Sequence, residues 1–328
     1  MICELEHKIF TVKDTEFESL ALDLFKFQYK ENIVYRQYIE LLKLDPLAVD
    51  SIRKIPFLPI DFFKSHRVVT TSFEPGAVFE SSGTTQTSQS RHLVRNLSIY
   101  EQSFKKTFEY HYGEVSDWCI LGLLPAYLER KNSSLVAMVD ELIRASQHPQ
   151  SGFYLYEHEK LGWVLNELKK EKQKTILIGV TFALLDFAEK YKTDFHNTIV
   201  IETGGMKGRK VEMTRAEVHS RLKAAWNLPA IHAEYGMTEL LSQAYSKADG
   251  IFESPPWLKV LLREEDDPMV IQNQGRGLIN VIDLANIYSC AFIATDDIGL
   301  LYPDQTFEVL GRRDYSDLRG CSFMAATI

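Results

Sequence analysis

The sequence has few cysteines, no long apolar run and no excess of basic charge. Its four cysteines are Cys3, Cys119, Cys290 and Cys321, and none is spaced C-x-x-C or clustered with histidine. This spacing signals neither a zinc site nor a disulfide framework, so we expect free thiols. No apolar stretch approaches the ~18–20 residues of a membrane span, and MICELEHKIF lacks the pattern of a secretory signal. We therefore expect a cytoplasmic protein.

The charge balance is acidic, because 37 Lys and Arg stand against 45 Asp and Glu, for a formal net charge of −8. Nonspecific binding to nucleic acid or to an anionic membrane depends on clustered Lys and Arg, so neither is expected as a partner. The chain also has no internal repeat and no linker rich in Pro, Gly or Ser. With 328 residues, 45% of them hydrophobic, it is expected to form one continuous domain.

What the sequence does contain is an alternation of strand and helix patterns. Residues 14–44 have helical apolar spacing, and apolar strand runs at 118–124, 175–180, 198–205 and 230–236 alternate with further helical stretches. This order predicts an α/β fold with a mostly parallel sheet covered by helices. The last third has short strand patterns and few helices, which predicts a smaller β-rich C-terminal subdomain. The expected parts are helical (1–70), α/β core (about 71–250), β-rich (about 251–314) and tail (315–328).

The most unusual stretch is FESSGTTQTSQS, residues 79–90, which has seven Ser or Thr hydroxyls in twelve positions. We call residues 81–90 the hydroxyl loop. Other polar segments, TGGMKGRK, YGMTE, ATDDIG and GRRD, each follow a predicted strand. Ligands of α/β sheets bind at the carboxyl ends of strands. Each segment alone is more often an ordinary turn, but their joint order favours a binding site. His66 and His92 flank the hydroxyl loop, but no Ser or Cys partner can be placed beside them, so no catalytic triad is predicted.

In this order the segments resemble the motifs of the adenylate-forming superfamily, which includes the acyl-CoA and aryl-CoA ligases. SSGTTQTSQ is similar to the superfamily's phosphate loop, YGMTE to its adenine-and-magnesium motif, TDDIG to TGDxG and GRRD to GRxD. IPFLPIDFFK, ETGGMK and DYSDLRGCS are most similar to the LuxE-like acyl-protein synthetases, relatives of the phenylacetate-CoA ligases. The resemblance implies the N-terminal-domain fold of these enzymes, without their mobile C-terminal domain.

The resemblance also implies an ATP-dependent enzyme and its site residues. Asp297, rather than Asp296, would bind the ribose hydroxyls, Arg312 would contact ribose or phosphate, and Glu239 would be the Mg²⁺ ligand. The full set of expected ATP-binding residues is Ser81, Ser82, Gly83, Thr84, Thr85, Thr87, Gly204, Gly205, Tyr235, Gly236, Met237, Thr238, Asp297 and Arg312.

Two further residues are expected to act in catalysis. The usual ligases carry a catalytic lysine on their C-terminal domain, and Lys207 in GGMKGRK is the candidate to replace it. Cys321 matches the acyl-accepting cysteine of the LuxE-like synthetases; Gly320 before it allows movement, and Arg319 favours the thiolate.

We therefore expect activation of a carboxylic acid, in particular a fatty acid, followed by acyl transfer to Cys321 and then to a partner. That partner would be an acyl reductase, an acyltransferase or an acyl carrier protein. Hydroxyls and backbone N–H groups, with Mg²⁺, can hold a polyanionic leaving group without a strong acid or base. Two alternatives remain: an acyl- or aryl-CoA ligase or acyltransferase that uses a diffusible thiol, and a non-catalytic module that binds a nucleotide or a carrier protein.

Overall fold

The computed structural model describes residues 2–81, 89–124, 132–204 and 213–313 of the chain. The helices of these ranges are α1 (Ile2–Ile9), α2 (Asp14–Glu31), α3 (Ile33–Leu41), α4 (Phe62–Ser65), α5 (Leu97–Tyr112), α6 (Ser134–Ser146), α7 (His158–Lys170), α8 (Thr181–Lys190) and α9 (Arg215–Trp226). Within the described ranges, none of these helices combines the length and the apolar character that crossing a membrane requires.

The strands of the same ranges are β1 (Leu58–Pro59), β2 (Ala77–Glu80), β3 (Arg91–Val94), β4 (Cys119–Leu123), β5 (Gly152–Phe153), β6 (Thr175–Gly179), β7 (Thr198–Glu202), β8 (His232–Tyr235), β9 (Ala244–Ser246), β10 (Ile251–Glu253), β11 (Leu258–Arg263), β12 (Ile271–Gln272), β13 (Gly275–Asp283), β14 (Phe292–Leu301) and β15 (Phe307–Arg312). The apolar runs predicted as strands at 118–124, 175–180, 198–205 and 230–236 are thus confirmed as β4, β6, β7 and β8.

The first half of the main sheet is parallel, in the order β5, β4, β6, β7, β8. Successive residues of a strand point to opposite faces, and here both faces are buried. Ile176 and Ile178 lie in one core, together with Met138 of α6, whereas Leu177 lies in a second core with Leu165 of α7. Burial on both faces explains why these strands read as continuous apolar runs, and the predicted α/β class is confirmed.

The second half of the sheet is antiparallel and continuous with the first. Strand β9 pairs antiparallel with β8, and the order then runs β10, β15, β14, β13, β11, β12, with β1 added in parallel to β14. In the described ranges, the short strands of the last third therefore extend the core sheet rather than form a sheet of their own. The division into parts at about residues 70, 250 and 314 stays a prediction.

Buried polar side chains in α2 and at the junction of α2 with α3 attach the N-terminal helices to the antiparallel half. The Gln28 amide donates to the Asn286 carbonyl at 2.9 Å and accepts from the Ala291 N–H at 2.9 Å. Asn32 Nδ2 donates to the Ser289 carbonyl at 3.0 Å. These bonds satisfy backbone groups of the buried connection between β13 and β14. The same connection reaches the candidate site, because Asn286 also contacts the turn after β8.

Candidate active site

The hydroxyl loop is closed at its base by the β2–β3 hairpin. The hairpin is antiparallel, with Glu80 opposite Arg91 as its last pair. Just beyond that pair, the Ser81 N–H donates to the Ser90 carbonyl at 3.1 Å, and the Ser90 N–H donates to Ser81 Oγ at 3.0 Å. The two ends of the loop are thus fixed side by side. The predicted phosphate-binding residues between them lie outside the described residues: Ser82, Gly83, Thr84, Thr85 and Thr87.

The turn after β8 begins at Tyr235, whose ring packs against Phe252 and Phe307. Its hydroxyl donates to Asp297 Oδ2 at 2.9 Å, and Arg312 Nε donates to Asp297 Oδ1 at 3.1 Å. Burial and the nearby Asp297 carboxylate raise the pKa of Tyr235 well above its usual value, so the phenol stays a neutral donor. The structure thereby brings together residues from three separate motifs, YGMTE, TDDIG and GRRD.

The two adjacent aspartates of TDDIG differ in orientation, as alternation along β14 requires. Asp297 is 6% exposed and faces Tyr235, whereas Asp296 is less deeply buried. The backbone of Asp297 is also held, because its N–H donates to Thr295 Oγ1 at 3.2 Å. Asp297 is therefore the aspartate that the structure places beside the turn.

Glu239 lies at the other end of the turn and is 5% exposed. Burial raises the pKa of its carboxyl group, although the neighbouring Ser90 hydroxyl opposes that rise. Asn286 Nδ2 donates to the Glu239 carbonyl at 2.8 Å. The carboxylate predicted to bind a metal thus contacts the base of the hydroxyl loop directly.

The surroundings of Glu239 fit a magnesium ion that is shared with phosphates. Mg²⁺ prefers oxygen ligands and is usually held by one or two carboxylates together with substrate phosphates and water. Across the described ranges, no group of three or more His, Cys, Asp or Glu residues forms a protein-only metal site. A single buried carboxylate beside a hydroxyl-rich loop matches the shared arrangement, with Ser90 as a neighbouring oxygen.

Two residues for which the sequence predicts no role fix the position of this turn. His92 Nδ1 donates to the Thr238 carbonyl at 2.8 Å. The buried carboxylate of Asp283 accepts from the N–H groups of Leu241 and Ser242 at 2.8 and 3.0 Å, and burial raises its pKa to about 6. The aspartate at the end of the apolar strand GLINVID was a visible signal of a buried carboxylate, but nothing local indicated its partners.

The segment TGGMKGRK directly follows Glu202, the last residue of β7, which the sequence did not single out. Its carboxylate accepts from the Gly204 N–H at 2.7 Å and from the Thr181 hydroxyl, and His219 Nε2 lies 3.9 Å from Glu202 Oε2. Burial alone would raise the pKa of Glu202, but the nearby His219 imidazole and the hydrogen bond from Thr181 hold it below its usual value. Gly204 has a φ of +78°, which favours glycine. Glu202 thus fixes the start of this loop.

A second carboxyl group lies one strand away, at Glu234 of β8. Burial, and secondarily the negative charge of Glu202, raises the pKa of Glu234 to about 8. The Glu234 carboxyl fills the space that a Cβ at Gly236 would occupy, and the side chain of Gln243 borders the same space. A side chain at residue 236 would therefore have to displace the Glu234 carboxyl group. The site combines an ionised Glu202 with a neutral Glu234 near neutral pH.

The remaining predicted site residues divide into two groups. Met237 and Thr238 lie on the turn between Tyr235 and Glu239, as their motif requires. Gly205, Lys207 and Cys321 lie outside the described residues, so their roles stay predictions.

A model of the acyl-protein synthetase (LuxE) family matches residues 10–327. The chain belongs to this family. LuxE acyl-protein synthetases are ligases, so the predicted resemblance and the predicted enzyme class are both confirmed. The chain is an ATP-dependent enzyme that activates a carboxylic acid and transfers the acyl group to a thiol. Neither the coenzyme A alternative nor the non-catalytic alternative gains support.

Two related proteins match this LuxE family member over nearly its whole length. The long-chain-fatty-acid–luciferin-component ligase of Aliivibrio fischeri is 24% identical, and the alignment covers 99% of this chain and 94% of that protein. The ligase of the same description from Vibrio harveyi is 21% identical, with 92% of this chain and 85% of that protein covered.

Solved structures of adenylate-forming ligases share the fold. An open conformation of 2-hydroxyisobutyryl-CoA ligase, in complex with 2-HIB-AMP and CoA, has a TM-score of 0.67 at 13% identity and covers 93% of this chain and 77% of its own. ATP-bound MatB from Rhodopseudomonas palustris has a TM-score of 0.54 at 18% identity and covers 72% of this chain. The match spans only 48% of the MatB chain. These likenesses confirm the predicted fold.

Proposed function

We propose that this acyl-protein synthetase activates a long-chain fatty acid as an acyl-adenylate and then transfers the acyl group to Cys321. The observation that supports this most directly is the pair of contacts at the two ends of the turn 235–239. One end is joined to Asp297 and Arg312, and the other contacts Ser90 at the base of the hydroxyl loop. A nucleotide along this turn would meet acceptors for ribose hydroxyls at one end and donors for phosphates at the other.

The reaction would proceed in two displacements. In the first, an oxygen of the fatty-acid carboxylate forms a bond to the α-phosphorus of ATP, and the bond to the β-phosphate breaks as pyrophosphate leaves. In the second, a thiolate forms a bond to the acyl carbon, and AMP leaves with the electron pair of the broken bond. Because the first step joins two anions, its main requirement is fixed positive charge and hydrogen-bond donors around the phosphates.

At the nucleoside end, Asp297 would accept hydrogen bonds from the ribose hydroxyls. Tyr235 and Arg312 already hold its carboxylate in place, so little reorganisation would be needed on binding. Arg312 would also contact ribose or phosphate. The backbone around Gly204, Gly205, Gly236 and Met237 would adjoin the adenine and the acyl-phosphate, with Thr238 near the α-phosphate.

At the phosphate end, the hydroxyl loop would donate to the β- and γ-phosphates, and Glu239 would hold Mg²⁺. Bound Mg²⁺ would supply positive charge that offsets the charge of the leaving pyrophosphate. Lys207 follows the segment that Glu202 fixes through Gly204. We assign it the second positive charge, directed at the transition state of the first step.

The choice of Cys321 as acceptor is supported by the properties of two of the other three thiols. Cys119 and Cys290 are buried, and burial raises their pKa values to about 11 and about 12, so both are neutral thiols near neutral pH. The thiolate is the nucleophilic form. Cys321 has Arg319 two positions before it in the sequence and Gly320 beside it, and both favour a reactive, movable thiol.

The proposed fatty-acid substrate follows from the names of the related ligases, and the proposed partner follows from the chemistry of a thioester. The names of the related ligases specify a long-chain fatty acid, which we transfer to this chain as part of the proposal. A thioester is an activated acyl donor, so the acyl group would pass on to an acyl reductase, an acyltransferase or an acyl carrier protein.

The test has two measurements with short, medium and long saturated fatty acids. ATP–pyrophosphate exchange that depends on a long-chain acid would establish adenylation. Wild type incubated with MgATP and labelled acid should acquire a hydroxylamine-sensitive acyl label on the chain, and Cys321→Ser should lose the label yet retain the exchange. Cys119→Ser is the control, because its thiol is buried. A label retained by Cys321→Ser, or efficient acylation of free coenzyme A without any protein label, contradicts the proposed acceptor.

A further inference from the structure

Two residues of the segment that leads from the hydroxyl loop contact consecutive residues of the turn after β8. The Ser90 hydroxyl lies beside the Glu239 carboxyl group and opposes the rise of its pKa, and His92 Nδ1 donates to the Thr238 carbonyl at 2.8 Å. Ser90 and His92 are buried whereas Arg91 between them is exposed, so the two side chains point to the same side. The two contacts therefore act together, and we call this pair of residues the β3 clasp.

The state of His92 is defined by its surroundings. The side chain is 1% exposed and packs edge-on against the ring of Phe63 at 5.7 Å between centroids. Burial lowers the pKa of His92 to about 4, so the imidazole is neutral near neutral pH. A carbonyl oxygen only accepts, so Nδ1 carries the proton. In the described part of the chain, Nε2 is buried without a hydrogen-bond partner.

An unpartnered buried nitrogen is unfavourable by about 1–3 kcal/mol, so a nonpolar residue would suit this position better if packing were its only role. What histidine adds is the single bond to Thr238. The opposite side of the turn is held independently, by Asp283 through Leu241 and by Asn286 through the Glu239 carbonyl. Loss of the clasp would leave the side of the turn that Asp283 and Asn286 hold in place. Only the connection between the turn and the hydroxyl loop would be lost.

We infer that the β3 clasp sets the distance between the base of the hydroxyl loop, at Ser81 and Ser90, and the turn 238–239, and that His92 is a positioning residue for the phosphates of MgATP. This inference rests on the proposed function, because it takes the loop and Glu239 as the phosphate and metal sites. It assigns His92 no contact with the nucleotide. Its effect would reach the nucleotide through the Thr238 backbone and through the alignment of Ser90 with Glu239.

The clasp can be tested by moving the donor of residue 92. The amide nitrogen of asparagine lies near the position of Nδ1, whereas that of glutamine lies near Nε2. His92→Gln should weaken MgATP binding, measured by calorimetric titration, by about 10-fold, which is the effect of one lost hydrogen bond. His92→Asn should stay within about 3-fold of wild type by the same reasoning. Adenosine, which lacks phosphates, should bind all variants equally.

The matched control is His111→Gln. His111 is also buried, also has an unpartnered Nε2, and its pKa is also lowered to about 4 by burial, but it lies on α5 and has no bond to the turn. This variant measures the effect of replacing a buried histidine, and it should bind MgATP like wild type. If His92→Gln does not fold, Ser90→Ala serves instead, and it should also weaken MgATP binding and spare adenosine.

The outcomes separate the clasp from the proposed function. Equal MgATP affinity for wild type, His92→Gln and Ser90→Ala overturns the clasp and leaves the proposed function standing. A parallel loss of adenosine and MgATP affinity in His92→Gln also overturns it, since that result describes general damage to the site. If wild type itself binds no MgATP, the proposed function fails and the clasp fails with it.

Discussion

Arg312 and Asp297 face each other across β15 and β14, with Arg312 Nε 3.1 Å from Asp297 Oδ1. The arginine side chain is 60% exposed and that of the aspartate is 9% exposed. An ion pair with one exposed partner contributes about 0–1 kcal/mol to stability. This pair is therefore better placed to orient the aspartate than to stabilise the fold, and its removal should affect nucleotide binding more than folding.

Asp297→Ala should raise the KM for ATP about 10- to 100-fold. A carboxylate that accepts from two ribose hydroxyls makes charge-assisted bonds worth about 1.5–3 kcal/mol. The measurement is acid-dependent pyrophosphate exchange as a function of ATP concentration, with the melting temperature recorded for each variant. Asp304→Ala, in the exposed turn before β15, is the control. An unchanged KM together with a lowered melting temperature would make Asp297 a structural residue.

Glu239→Gln should slow the exchange about 10-fold or more and raise the Mg²⁺ concentration required for half-maximal rate. The amide replaces a charged oxygen ligand by a neutral one, and it can still accept from Ser90, so the fold should be retained. Exchange rates over a range of MgCl₂ concentrations provide the measurement. Glu253→Gln, an exposed glutamate on β10, is the control. Equal magnesium dependence in Glu239→Gln and wild type would remove Glu239 from the metal site.

Glu234→Gln should stabilise the protein increasingly as the pH rises. The folded-state pKa of about 8 lies above the ordinary value of 4.5, so the folded protein favours the protonated acid. The stability that this preference contributes is fully present below 4.5 and is lost as the pH rises through about 8. Glutamine stays neutral throughout. Melting curves across that window should diverge in favour of the variant, and parallel curves would show that Glu234 is not buried as an acid.

Removal of the charge at Glu202 should reduce the stabilisation that Glu234→Gln produces at high pH. The negative charge of Glu202 is the second cause, after burial, of the raised pKa of Glu234. In a Glu202→Gln background, Glu234 should titrate at lower pH, so Glu234→Gln should stabilise the protein less than in wild type. A double-mutant cycle on melting temperature measures this coupling. Additive effects of the two substitutions would place the two carboxyl groups too far apart to interact.

The sequence predicted the elements of this fold better than their connections. The runs TILIG and TIVIE are strands because they are buried on both faces, and burial on both faces is visible as continuous apolar sequence. The antiparallel pairing of β8 with β9, which joins the two halves of the sheet, could not be predicted. Apolar periodicity indicates which face of a strand is buried but does not identify its neighbour.

For the candidate site too, the sequence predicted the residues better than the contacts between them. Motif order places Tyr235, Asp297 and Arg312 in one site. It does not indicate that Tyr235 and Arg312 both donate to the Asp297 carboxylate. The sequence places His92 beside the hydroxyl loop but predicts no role for it, because a single histidine in RHLV has no local signal of one. Its partner, Thr238, is 146 positions away, and only the folded chain brings the two together.

The attachment of the N-terminal helices to β14 has a consequence for the chain as it is synthesised. Gln28 bonds to a residue 263 positions later, and the ring of Tyr35 stacks on Phe292. The helices therefore leave the ribosome long before the strand that covers them exists. Contacts so distant in sequence slow folding, and apolar faces left uncovered in the meantime favour aggregation. A nascent chain that has not yet reached β14 exposes those faces to other chains and to chaperones.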